Sequence, residues 1–166
     1  METAELLTDA FGRVRELYVE TARDLDPEAA HRRLEGTGNP VAWLLWHTAR
    51  VQDDHVADLA GVPQAWHTKW AGRFDLPFDE GDIGYGHSSA EVDAVRIERL
   101  QDLVDYHEAV HQLTLDYLAR VDADELDRVV DDNWDPPVTA GVRVVSLLGD
   151  CLQHLGQAAY VKGLPG

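Results

Sequence analysis

Asp150-Cys151-Leu152-Gln153-His154-Leu155-Gly156-Gln157 is the stretch on which the reading of this chain turns. Around it, Leu148, Cys151, Leu152, Leu155 and Ala159 recur at steps of three and four, which is the period of a helix buried along one stripe. In a helix, Asp150 and His154 are four residues apart and stack on one face, with Gln157 continuing the same edge. A carboxylate and an imidazole so placed are two arms of a metal site, or simply a polar pair on a helix edge. A metal site needs a third ligand. The best candidate is His47, in Pro40-Val41-Ala42-Trp43-Leu44-Leu45-Trp46-His47. The fold must therefore bring a helix near residue 47 against a helix near residue 150.

The remaining chain supplies such helices. Leu7, Phe11, Val14, Tyr18, Thr21 and Leu25 form a stripe that predicts a first helix over about 4–25, closed by Asp26-Pro27. Asn39 is a good N-cap and Pro40 suits a first helical position, so a second helix is predicted from there to about Ala60, ending at Gly61-Val62-Pro63. Its stripe is Val41, Leu45, Thr48, Val56 and Leu59, with His47 well round from it beside Trp43 and Leu44. Residues 63–88 have no clear period but carry Trp66, Trp70, Phe74, Phe78 and Tyr85, so they read as a packed connection able to cover one end of a pocket. Ser88 and Glu91 have capping-box spacing and open a third helix, predicted to run to about Val121. An acidic connection follows, with a helical turn near Glu125 and a break at Asp135-Pro136-Pro137. Thr139 or Gly141 leads into the last helix, which ends near Lys162. No strand is evident. The expected fold is all-α: a four-helix bundle forming a single domain over 1–166, with long connections between helices 2 and 3 and between helices 3 and 4.

Composition narrows the function. The formal net charge is −17, which repels a phosphate backbone, so neither nucleic acid nor an anionic membrane surface is an expected partner. No apolar run is long enough to cross a membrane, and the acidic N-terminus lacks the regions of a signal peptide. The single cysteine, Cys151, excludes an internal disulfide and suits a reducing cytoplasm. Lysine is confined to Lys69 and Lys162 while arginine is plentiful, a bias that fits a GC-rich genome.

Other candidate groups compete with the triad. His107-Glu108-Ala109-Val110-His111 matches the H-E-x-x-H zinc-protease signature on a helix, but lacks the glycine and third histidine of the extended form. His107 falls near the apolar face of its helix, which suits packing. Asp54 lies on the same side as His47 and reads as an acceptor behind the ligands or as a solvated acid, the latter favoured. His55 reads as a partly buried helix residue, Cys151 as a small buried one, and His31, His67 and His87 as loop or helix-end residues without a fixed partner. Gly156 costs about 1 kcal/mol inside a helix relative to Ala, so it points to close approach of a neighbour or a ligand. There is no phosphate-binding glycine loop and no nucleophile-elbow serine, and Ser146 lies on the same helix as Asp150 and His154, which rules out a triad.

Trp46-His47, Trp70-Ala71-Gly72-Arg73-Phe74, Gly84-Tyr85-Gly86-His87-Ser88 and Asp150-x-x-x-His154-x-Gly156-Gln157 together resemble the DinB-like superfamily. That group includes the N-terminal domain of mycothiol-dependent maleylpyruvate isomerase and bacterial thiol S-transferases. The resemblance implies a four-helix bundle with a divalent metal at one end, held by His47, Asp150 and His154. The family usually has His or Glu where Asp150 stands, and Asp is shorter than Glu by one methylene. Zinc or nickel is the expected ion, since imidazole suits both. Trp43, Asp54 and Gln157 are the expected residues behind the ligands or in the pocket, with no catalytic residue beyond the ligands. The implied activity is S-transfer from a low-molecular-weight thiol, mycothiol as co-substrate, to an electrophilic small molecule, with Trp134 and the aromatics of 66–85 shaping its pocket. A metal-dependent hydrolase and a non-enzymatic stress protein binding metal or a small ligand are the alternatives. The partner expected is a small-molecule substrate, with a homodimer as a candidate assembly.

Overall fold

Helix formation follows the apolar stripes closely, and the departures have local causes. The structure, a computed structural model, describes residues 2–164; Met1, Pro165 and Gly166, which the single-domain expectation also takes in, lie outside the described residues. Helix α1 spans Thr3–Ala22, and Glu5 accepts the Glu2 N–H at its start. It stops three residues before Leu25, where Arg23 turns extended at ψ 133° and Asp24 takes a positive φ of 51°. Asp26-Pro27 then opens an element of its own: the Asp26 carboxylate accepts the Glu28 and Ala29 N–H groups and caps α2, Pro27–His31.

Helix α3 spans Val41–Ala60. Its cap is Pro40 rather than Asn39, and Gly61, left-handed at φ 67°, ends it. Every residue from Val41 to Asp53 is buried, far more than the five-residue stripe expected. The reason is that α3 is covered on several sides: by α6 (Leu100–Leu118), by α8 (Ala140–Lys162) and by the connection that follows it. Helix α1 packs on α6 and α8 as well, so the four long helices enclose one core.

The connection 61–88 is ordered. It holds a π-helical turn, Trp66–Trp70, and a short helix α4, Ala71–Phe74. Trp66, Trp70 and Phe74 cluster around Tyr106 with ring centroids 5.3–5.8 Å from it. Tyr85 and Trp134, expected with the pocket aromatics, are instead exposed, Tyr85 at 90%. Ser88 and Glu91 do form the capping box, but the helix they open, α5, runs only Ser89–Ala94. The third helix is thus split. Val95 and Ile97, two apart and both β-branched, point into the core from an extended segment, and the Ile97 N–H is taken by His31 Nε2 at 3.0 Å.

Helix α7, Ala123–Asp127, is capped by Asp122. After it, strands β1 (Val129–Asp131) and β2 (Val138–Thr139) pair antiparallel, Val129 opposite Thr139. The expectation of no strand is corrected here; elements of two and three residues are too short to show an alternating pattern. Thr139 caps α8 as expected, accepting the Val142 N–H. The buried face of α8 is Val144, Leu147, Cys151, Leu155, Ala158 and Val161, so the stripe is rotated from the one read in the sequence: Leu152 is exposed and so is Ala159. No helix among the described residues is long and apolar enough to cross a membrane.

The core contains charge. Arg50, fully buried on α3, donates to the carbonyls of Glu80 and Asp82, to Gln64 and to Tyr106, and lies over the Trp66 ring at 4.5 Å. Asp53, 3.8 Å from Arg50, accepts the Ala65 and Trp66 N–H groups and the Tyr106 hydroxyl. These two residues pin the connection to α3. Arg50→Ala leaves Asp53 and two loop carbonyls short of partners, and is expected to cost about 3–5 kcal/mol. Equilibrium urea unfolding checks this.

Candidate metal centre

His47 lies on α3 one turn before Arg50, and Asp150 and His154 lie one turn apart on α8. The packing of α3 on α8 brings one ligand atom from each of the three within 4.8 Å of the others. The His47 and His154 rings meet edge to face with centroids 4.6 Å apart. His47 is buried, while Asp150 and His154 are half-buried on the side open to solvent.

Both imidazoles are oriented through their Nδ1 atoms. His47 Nδ1 is 2.5 Å from the Ile83 carbonyl, and His154 Nδ1 is 2.9 Å from the Asp150 carbonyl. A carbonyl only accepts, so each Nδ1 carries a proton, and in the neutral imidazole Nε2 keeps the lone pair. This is how metal-binding histidines are usually held. The Asp150 Oδ2 atom is enclosed and has no hydrogen-bond partner, although His154 Nδ1 is 3.4 Å away, because that N–H is already committed to the backbone. Two imidazoles whose ligand atoms lie within 4.8 Å of a carboxylate with an orphaned oxygen form a site that a cation can satisfy.

The charge states agree. His154 beside it holds the Asp150 carboxyl below its usual range, so it is ionised. Burial pushes His47 below the ordinary histidine value, so it is neutral and able to ligate. The Asp150 carboxylate raises His154, so a proton competes for this one ligand. Three donors of this kind fit a divalent metal ion and leave further coordination positions open.

Of the residues expected around the ligands, Trp43 stacks on His47 at 4.6 Å and 16° and forms one wall. Asp54 instead accepts from Gln64 Nε2 at 2.7 Å, and Gln157 is exposed. His55 is half-buried and takes a hydrogen bond from Arg143 at 3.3 Å. Nothing lies within 4 Å of a Cβ built at Gly156, so the close approach expected there does not occur. It occurs at Gly84, where a Cβ would sit 2.9 Å from His47 Nδ1. His87, read as having no fixed partner, has two: it accepts from Trp43 Nε1 at 3.1 Å and reaches the Asp82 carboxylate at 3.1 Å. The available signal was its place in a Gly-x-Gly-His turn, where the glycines permit positive φ.

The rival motif is structural. His107 is buried, stacks on Tyr18 at 3.9 Å, and approaches Gln52 at 3.3 Å. Glu108 points outward to Arg15. Among the described residues, His107 and His111 belong to no cluster of metal-ligating side chains.

The DinB superfamily family model matches residues 10–158. No curated protein matches the chain. Among solved structures, the crystal structure of a conserved protein from Enterococcus faecalis is similar over 98% of this chain and 96% of that one, with 32% identity and a TM-score of 0.90.

Alanine at His47, Asp150 or His154 is expected to abolish or strongly weaken zinc and nickel binding, measured by elemental analysis after dialysis; alanine at His107 or His111 is expected to leave it intact. His107 carries a separate prediction. Burial pushes its pKa from 6.5 down to about 3, so between those values the unfolded chain binds more protons than the folded one. The associated stability is whole above pH 6.5 and is lost as the pH falls toward 3. His107→Phe is therefore expected to flatten the acid side of the stability profile in urea unfolding at stepped pH.

Proposed function

The chain belongs to the DinB superfamily, and on that premise we propose that its four long helices form a four-helix bundle serving a metal-dependent S-transferase. In this reading it activates a low-molecular-weight thiol, mycothiol first among candidates, toward an electrophilic small molecule. The observation that carries the proposal is one ligand atom each from His47, Asp150 and His154 within 4.8 Å of one another, with the Asp150 Oδ2 atom left without a partner. A divalent ion held by His47, Asp150 and His154 would supply the Lewis acidity that ionises a coordinated thiol near neutral pH.

The chain's own residues do the rest. The Ile83 carbonyl keeps the His47 proton at Nδ1, and the Asp150 carbonyl does the same for His154. Trp43 closes the inner side of His47 and excludes water there. Cys151 is not the nucleophile: it is fully enclosed, and burial pushes its thiol well above the ordinary value. The reacting sulfur must therefore arrive with a co-substrate.

Thiol consumption is the test. Metal-loaded protein with mycothiol and a panel of electrophiles is expected to consume thiol, and metal-stripped protein is not. The rate should persist below the ~8.5 at which free thiols lose their thiolate. Asp150→Glu, one methylene longer, is expected to retain activity, and Asp150→Ala to abolish it. Ester or amide hydrolysis without thiol consumption would replace this reading with a water-activating hydrolase. Tight metal binding with neither activity would leave a non-enzymatic binding module.

A further inference from the structure

We propose that residues 80–88 are a built positioning loop for His47, with His87 and Asp82 as the positioning residues that fix which nitrogen His47 presents. The proposal extends the metal reading of His47, but its first measurement does not depend on any metal.

The loop is pinned from below. Arg50, fully buried, donates to the Glu80 and Asp82 carbonyls at 3.2 Å each, so the backbone on both sides of Gly81 is held to α3 itself. It is then locked from within. The Asp82 carboxylate accepts the Gly84 N–H at 2.6 Å and lies 3.1 Å from His87 Nε2. His87 Nδ1 accepts from Trp43 Nε1, which makes Nε2 the protonated nitrogen facing Asp82. The His87 side chain is only 4% exposed, and its ring lies against Trp46 and Phe78. Trp43 in turn stacks on His47. An Asp–His–Trp chain thus ends on the face of the ligand.

Between Asp82 and His87 the backbone does two things to His47. The Ile83 carbonyl takes its Nδ1 proton. Gly84, at φ 88°, packs so closely that a Cβ would lie 2.9 Å from His47 Nδ1, 2.9 Å from the Trp46 ring and 3.2 Å from the Trp43 ring. Only a residue without a side chain lets the carbonyl before it reach the imidazole. Without these contacts the ring can flip or exchange tautomers, and an N–H rather than a lone pair can face Asp150 and His154. Simple core packing would need none of the polar bonds that the loop makes.

The experiment compares wild type, His87→Ala, His87→Gln and Gly84→Ala. In metal-free protein at pH 8, nitrogen-15 NMR of the histidine side chains should show wild-type His47 as a single Nδ1–H tautomer. His87→Ala should show a mixture, and its zinc Kd should rise about 10–100-fold. His87→Gln, whose side chain can accept from Trp43 and donate to Asp82, should restore both readouts. Gly84→Ala should disturb both by pushing on the ring directly, and it decides the matter if His87→Ala fails to fold. A mixed tautomer in wild type, or folded variants with unchanged tautomer and zinc Kd, would overturn the proposal. A single wild-type tautomer lost in His87→Ala, in a protein that binds no zinc, supports the loop's role and sinks the metal reading instead.

Discussion

Burying a helix on several sides puts a cost on every polar group it carries without a partner, and that constraint shapes this molecule. From Val41 to Asp53 helix α3 is wholly inside, yet it holds His47, Arg50, Gln52 and Asp53. Unpartnered, such groups would each cost several kcal/mol. Arg50 and Asp53 find theirs in the backbone of the long connection, in Gln64 and in Tyr106; Gln52 finds Thr114 and His107. The connection is therefore ordered by the charges beneath it.

The same arrangement accounts for the site. A loop fixed by Arg50 can place the Ile83 carbonyl against His47 at hydrogen-bond distance, and a glycine at the contact lets it come that close. On the opposite helix His154 needs no such help, because its Nδ1 proton goes to the carbonyl one turn earlier. One candidate ligand is oriented by tertiary structure and the other by its own helix. The carboxylate between them is the group left without a donor, and it marks where positive charge belongs.

Burial also separates two histidine motifs that look alike on paper. His107 and His111 have the spacing of metal ligands, but their helix turns them inward, and His107 is neutral to about pH 3 through desolvation. Asp150 and His154 have the same four-residue spacing on the half-buried edge of α8, where a third side chain faces them from α3. The spacing is common to both pairs; position round the helix separates them.

Local chemistry was legible from residues alone. The apolar periods, the caps at Ser88 and Thr139, the stop at Gly61 and the stacking of Asp150 under His154 all depend on neighbours within one turn, so the chain states them directly. His47 as a third ligand was a candidate that only the packing of α3 on α8 could bring within reach. The rotation of the α8 stripe, the split of α5 from α6, the two short strands and the outward turn of Tyr85 and Trp134 were decided by contacts between distant segments. So were the roles of Gly84 and His87, since the atoms that make them meaningful lie roughly forty residues earlier in the chain. A side chain's period along its own helix can be read from the sequence, but what faces it across the core is set only when the helices pack.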